Sequence, residues 1–341
     1  MRSILTFSSL SVVSISLISG HANADDWPQF LGPDRNGVSA ETGLIDTWPD
    51  TGPEVLWRTP LGVSMSGVSV ANGAAFTMFQ DETYQYVVCL NAADGNEHWR
   101  TSIAPKYENA MGHGPRATPT VADGNVFAFT GEGILVALKA ENGEKLWSAD
   151  VPMRLKGKPN EYGVSCSPLV AGGSVVVHSG TETAAVAAFG ILDGKLVWQA
   201  GKGNAGYSSP VLMSLHGEKQ IVSLTATSVL GIAPNSGKEL WAFPFPTNYD
   251  CNTASPLRLD DRHLLISAGE DHGSVILADG KLFFTTMEGE LVIIEASPKE
   301  FHELSRVTIM ETTRQAPVLA NGHLFVRDDK EVICIQVKAR N

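Results

Sequence analysis

The sequence predicts an all-β protein: a β-propeller of four-stranded blades, six full and one two-stranded remnant, closed by an N-terminal strand in the last blade. Three observations predict it. A Gly-x-x-x-Trp hairpin recurs four times, an inner-strand segment recurs with a spacing of mostly 42–51 residues, and the last unit ends one strand short while a matching strand lies near residue 57. A plain β-sandwich accounts for neither the period nor the matched Trp, whereas a blade repeats every ~40–50 residues.

The clearest unit is 117–147, ATPTVADGNVFAFTGEGILVALKAENGEKLW, which reads as three strands parted by Gly turns, then a Trp opening a fourth. Its closing hairpin recurs as LNAADGNEHW (90–99), LKAENGEKLW (138–147), FGILDGKLVW (189–198) and IAPNSGKELW (232–241). Gly95, Gly143, Gly194 and Gly237 stand four residues before Trp99, Trp147, Trp198 and Trp241. Asp94, Asn142 and Asp193 precede three of these glycines, and such pairs tolerate the positive φ of a tight hairpin. Each Trp offers a large apolar plate for packing one sheet on the next.

Inner strands begin at 68, 119, 168, 210, 256, 275 and 317, with segments such as PTVADG and PVLANG. The separations are 51, 49, 42, 46, 19 and 42. The 19-residue step fits half a blade, so 254–273 should form two strands with no outer pair. The final unit supplies APVLANG, HLFVRDD and EVICIQV. EVLWRTP (54–60) carries Trp57 at the repeat position and completes it. Closure of that kind shields sheet edges.

Residues 1–24 read as a secretory signal, with Arg2, an uncharged apolar and Ser-rich stretch, and Ala22-Asn23-Ala24 before the cut. Residues 25–53 form an N-terminal extension, and 54–341 a single propeller domain. The expected location is periplasmic or secreted, with no membrane span in the mature chain. A net charge of −12, with 37 acidic against 25 basic residues, excludes a general nucleic-acid binder. The 33 glycines match several turns per blade. Cys89, Cys166, Cys251 and Cys334 are widely spaced without a metal-type pattern. Cys89 and Cys334 share a repeat position with Ala137, Ala188 and Gly231, which marks them as small core residues.

A site belongs on the loops that run from each outer strand to the next inner strand, because blades mainly supply packing. The segments GHGPRATP, YGVSCSP, AGYSSP and YDCNTASP bring His113, Arg116, Tyr162, Tyr207, Tyr249 and Asn252 toward the axial mouth. These side chains suit a small-molecule or peptide pocket, or else they satisfy one another and cap the channel. Loops 100–117, 148–166 and 199–208 hold seven basic against three acidic residues, a local field that would draw an anionic ligand. No catalytic motif, catalytic residue or metal-ligand set emerges. Asp81-Glu82 and Asp260-Asp261 fall in turns, and His263, His272, His302 and His323 are assigned to surface or turn positions.

The Gly-x-x-x-Trp repeat resembles the pyrroloquinoline quinone (PQQ) repeat of quinoprotein alcohol dehydrogenase-like propellers. The start DDWPQFLGPDRNGVSAETGL, with GHGPRATP and YDCNTASP, is similar to exported PQQ-repeat proteins of planctomycete-type bacteria. The resemblance implies two classes. One is a protein-binding or ligand-binding scaffold, distantly BamB-like, with an envelope protein or a small anionic ligand as partner. The other is a PQQ-dependent dehydrogenase or a degenerate relative, with PQQ and calcium implied by resemblance alone. Adjacent cysteines and a calcium ligand set of that second class are missing, so no catalytic residue carries over. The same resemblance implies an internal deletion near 270–276.

Overall fold

The computed structural model describes residues 26–181, 183–247, 250–266, 274–297 and 299–339, so the segment read as an export signal lies outside the described residues. The described chain forms six four-stranded antiparallel sheets and one two-stranded sheet. β1 (Val55–Pro60) comes first in sequence but sits at the outer edge of the last sheet. Blade 1 holds β2 (Ser69–Ala71), β3 (Ala74–Gln80), β4 (Tyr84–Asn91) and β5 (Glu97–Pro105). Blade 2 holds β6 (Thr120–Ala122), β7 (Asn125–Phe129), β8 (Ile134–Lys139) and β9 (Lys145–Asp150). A one-turn helix, α1 (Val151–Leu155), follows, capped by Asp150. Blade 3 holds β10 (Leu169–Ala171), β11 (Ser174–Thr181), β12 (Ala184–Gly190) and β13 (Leu196–Ala200). Blade 4 holds β14 (Val211–Leu215), β15 (Glu218–Leu224), β16 (Ser228–Ile232) and β17 (Glu239–Pro244).

The remnant is β18 (Leu257–Arg258) with β19 (Leu264–Leu265), in the half-blade expected from the short spacing. Blade 5 holds β20 (Ser274–Ala278), β21 (Lys281–Thr285), β22 (Glu290–Glu295) and β23 (Glu303–Thr308). Blade 6 holds β24 (Val318–Ala320), β25 (His323–Arg327) and β26 (Glu331–Gln336), and β1 pairs antiparallel with β26. The first and last strands of the propeller thus share a sheet, and β24 lies against β2. His323 stands half-buried within β25 rather than in a turn.

One contact repeats between blades. Trp57 Nε1 donates to the Ala92 carbonyl at 3.1 Å, Trp99 to Ala140 at 3.0 Å, Trp147 to Ile191 at 2.7 Å and Trp198 to Pro234 at 3.0 Å. Each ring lies flat against the glycine three residues further along the next blade's hairpin. A Cβ on Gly95, Gly143, Gly194 or Gly237 would come within 2.5–2.7 Å of that ring. The same glycines hold φ between 62° and 73°, which L side chains rarely adopt. Two constraints therefore coincide on one residue type. The Trp also pairs across its own sheet with the small position, as Trp57↔Cys334, Trp99↔Cys89, Trp147↔Ala137, Trp198↔Ala188 and Trp241↔Gly231. Cys89 and Cys334 are buried there, and burial pushes both thiols up to about 12.

The N-terminal extension is part of the propeller core. Trp27 is buried and bridges Val70 of β2, and the Pro28 carbonyl accepts from Val121 of β6. Val38 bridges Leu277 of β20, and Leu44 bridges Lys338 beyond β26. Trp48 fills a gap in the repeat. Blade 5 has Ser305 where other blades carry Trp, and the Ser305 hydroxyl accepts from the Trp48 backbone N–H at 3.0 Å.

Gly194→Ala tests the dock. At φ 62° with Trp147 in its path, the substitution should lower stability by about 3 kcal/mol, backbone strain plus overpacking. Gly173→Ala, at φ 76° with open space around it, should cost about 1 kcal/mol. Urea unfolding of both variants measures the difference.

Candidate functional site

The loop face is organised by a ladder of hydroxyls. The Ser167 hydroxyl accepts from the Thr118 backbone N–H at 3.0 Å, Ser209 from Ser167 at 2.9 Å and Ser255 from Ser209 at 3.2 Å. Each step crosses from one blade to the next. Each residue precedes a proline, Pro119, Pro168, Pro210 or Pro256, which holds the residue before it extended. The Ser/Thr-Pro recurrence at 118, 167, 209 and 255 was the sequence signal for this ladder. It fixes where four successive loops enter the axial region.

Arg116 is buried under that mouth. Its Nη1 donates to the Gly114 carbonyl at 2.6 Å and its Nη2 to Gly112 at 2.7 Å. The guanidinium lies 4.9 Å from the Tyr107 ring centroid, a cation–π contact. Burial lowers its pKa below the usual arginine range. Gly163 approaches the opposite side, where a Cβ would stand 3.1 Å from the guanidinium carbon. Arg116 thus braces its own loop against the next one.

His113 is exposed, and its Nδ1 accepts from the Asn109 backbone N–H at 3.3 Å. Asn109 in turn donates through Nδ2 to the Glu161 carbonyl at 2.8 Å, tying loop 106–119 to loop 156–168. Tyr162 and Tyr207 stack with centroids 5.8 Å apart and an interplanar angle of 25°. The Tyr207 hydroxyl accepts from the Tyr162 backbone N–H at 3.2 Å. Partial burial pushes the Tyr207 phenol up to about 12. Asn252 is wholly buried. Its Nδ2 donates to Thr225 at 2.7 Å and Ala226 at 3.1 Å, and its Oδ1 accepts from Thr247 at 2.9 Å. It is a strut for a blade 4 turn. Tyr249 lies outside the described residues. The structure therefore gathers His113, Arg116, Tyr162 and Tyr207 on one face and sets Asn252 beneath it.

Two buried arginines went unread in the sequence. Arg35 inserts into the axis from the N-terminal extension. It donates to the Ser167 carbonyl at 3.1 Å, the Pro210 carbonyl at 2.9 Å, the Pro168 carbonyl, and the Thr120 hydroxyl at 3.3 Å. These partners belong to the inner edges of blades 2, 3 and 4. Complete burial lowers the guanidinium to about 10, so it keeps its charge at neutral pH. Arg327 joins blade 6 to blade 1, donating to Thr77 Oγ1 at 2.7 Å and the Gly62 carbonyl at 3.3 Å. Lone arginines carry no periodic signal, so the sequence could not announce either partner set.

The axial donors do not fit a calcium-bearing quinone. Calcium takes 6–8 oxygen ligands that include carboxylates. Here the described groups reaching the axis are arginines and hydroxyls already bonded to neighbouring blades. Among the described residues, no group of three or more His, Cys, Asp or Glu is placed to hold a metal. His178 of β11 and Ser223 of β15 form a buried pair, Nε2 to Oγ 2.6 Å, sealed between blades 3 and 4.

Comparison with known proteins follows the same geometry. The PQQ-repeat family described as outer membrane protein assembly factor BamB matches residues 45–152 and 83–339. BamB of Yersinia pestis is 25% identical over 343 aligned positions, which cover 94% of this chain and 77% of that protein. The quinohemoprotein alcohol dehydrogenase of Comamonas testosteroni superposes with a TM-score of 0.56 at 11% identity, over 92% of this chain and 81% of that chain. A quinohemoprotein alcohol dehydrogenase of Pseudomonas putida HK5 gives 0.58 at 11%, over 93% and 81%. At such identities the likeness to the dehydrogenases is one of fold.

His178 makes stability depend on pH. Burial lowers its pKa from 6.5 to about 4, so the folded ring stays neutral where the unfolded ring binds a proton. Stability from this group is complete above pH 6.5 and is lost as pH falls toward 4. The loss should be on the order of 3 kcal/mol at 1.36 kcal/mol per unit. Urea unfolding at pH 7.5 and 4.5 should show His178→Gln losing less stability than wild type over that interval.

Proposed function

Because the chain belongs to the PQQ-repeat family of outer membrane protein assembly factor BamB, we propose that it is an exported scaffold that binds a protein partner of the cell envelope. Residues 1–24 serve as its export signal, cut after Ala24, and the mature chain works in the periplasm or outside the cell. No helix among the described residues is long and apolar enough to cross a membrane. The observation that carries the reading is the loop face itself. Its buried polar groups, Arg116 and Asn252, are spent on bracing, so the frame is rigid. Lys156, Lys158 and Lys202 stand exposed at the tips of the loops leading into blades 3 and 4.

A rigid frame with basic tips favours an acidic partner surface. Charges placed at the rim steer encounter and set its salt dependence, while fixed loops lower the ordering cost of binding. The axial arginines and hydroxyls give no support to a quinone-dependent dehydrogenase, and no step is assigned to one.

The test is capture of envelope proteins on immobilised mature chain. Lys158→Glu with Lys202→Glu should weaken capture of the specific partner about tenfold, and raised salt should weaken wild-type capture as well. Stability should change by less than about 0.5 kcal/mol, as for exposed sites generally. Capture that ignores both the charge reversal and the salt would contradict the reading.

A further inference from the structure

We propose that the remnant β18–β19 and the bare outer half of blade 4 form a docking cleft for a β-hairpin supplied by a partner polypeptide. The inference rests on the scaffold reading for the kind of ligand, and on blade geometry for its place.

Four blade junctions show what normally covers this surface. The Trp of one blade lies on the Gly of the next blade's outer hairpin and donates to the carbonyl three residues before it, at Ala92, Ala140, Ile191 and Pro234. Blade 4 carries the same Trp, but the remnant that follows has two strands and no outer hairpin. Trp241 Nε1 turns to Gln220 Oε1 of its own blade at 2.7 Å. The position two residues past the Trp repeats the contrast. Ala149 is 1% exposed and Ala200 is 7% exposed, whereas Phe243 is 61% exposed. A large apolar ring thus occupies a position that neighbouring junctions bury.

The remnant offers the other wall. β19 pairs with β18 through Leu257↔Leu265 and Arg258↔Leu264. In every four-stranded sheet the second strand also pairs with a third. By the alternation of antiparallel ladders, the Leu264 backbone N–H and C=O point away from β18, toward the side a third strand would take. Leu259 and Leu265 are 59% and 50% exposed beside it. An edge with open backbone groups and apolar neighbours is a template for strand addition.

The chemistry of the occupant follows from the four completed junctions. Its first strand is apolar, like Ile134–Lys139, and pairs with β19. Its turn carries a left-handed Gly that lets the Trp241 ring lie flat. A backbone carbonyl three residues before that Gly accepts from the Trp241 indole, releasing Gln220. Its second strand covers Phe243.

The experiment uses a synthetic peptide of residues 134–150, the chain's own β8–β9 hairpin, titrated into the purified mature protein. Saturable one-to-one binding is expected below about 1 mM. A Gly143→Val version of the peptide should bind at least about tenfold more weakly, and so should the wild-type peptide on a Phe243→Glu protein. Phe243 is exposed, so that variant folds, and the altered peptide leaves the protein untouched. No saturable binding overturns the proposal, as does equal affinity of the two peptides. A mature chain that self-associates in sedimentation, and becomes monomeric with Phe243→Glu, also overturns it by naming a second copy as the occupant. Loss of envelope capture on reversing Lys158 and Lys202, with no hairpin binding, would leave the scaffold reading standing while this inference fails.

Discussion

The contact on which the rest of the structure depends is the indole of one blade lying on the hairpin glycine of the next. It joins a large apolar area, one hydrogen bond and a backbone conformation that glycine adopts without strain. Trp57 uses it to join blade 6 to blade 1, so the strand contributed from the N-terminal side locks both into its own sheet and into the neighbouring one. The contact passes through Trp99, Trp147 and Trp198 and then fails at Trp241, where the following sheet has two strands. Where the dock is absent, other residues work at the same joints. Trp48 from the extension meets Ser305 in blade 5. Arg35 draws together the inner edges of blades 2, 3 and 4, and Val38, three residues further, pairs with blade 5. One N-terminal segment therefore spans the side of the propeller on which the regular repeat breaks.

Arg35 illustrates how a buried charge is accommodated without a counter-ion. Removing a guanidinium from water is costly unless its donors are met. Carbonyls of Ser167, Pro168 and Pro210 meet them here, on segments whose prolines supply no N–H of their own to compete. The charge is used for geometry, since each bond comes from a different place on the inner edges. The hydroxyl ladder above does the same with neutral groups. Loops emerging from such a frame differ at their tips and not at their roots, which is what a binding face on a propeller requires.

Much of the architecture was legible in the sequence because it repeats. The period gave the blades, the 19-residue step gave the remnant, and the unpaired last unit pointed to Trp57. Small residues opposite each Trp marked Cys89 and Cys334 as core. The candidate site was legible only as an address. The sequence placed Arg116 and Asn252 near the mouth, yet their donors are taken by carbonyls at Gly112, Gly114, Thr225 and Ala226. Satisfaction of a polar side chain depends on partners that the fold brings near, and no spacing rule announces them. The N-terminal extension was unreadable for a related reason. Its contacts are single residues on different blades, without period, so it read as an appendage where the structure uses it as a core segment.

The most direct test of this account is hydrogen exchange of the indole Nε1–H groups, followed by NMR on protein with 15N-labelled tryptophan. The dock account predicts slow exchange at Trp57, Trp99, Trp147 and Trp198, each bonded to a backbone carbonyl of the next blade. It predicts exchange at Trp241 faster by about a hundredfold or more, because that indole is held by one side chain on a half-covered surface. Equal protection at Trp241 would mean that its face is covered as the others are, and would contradict the account.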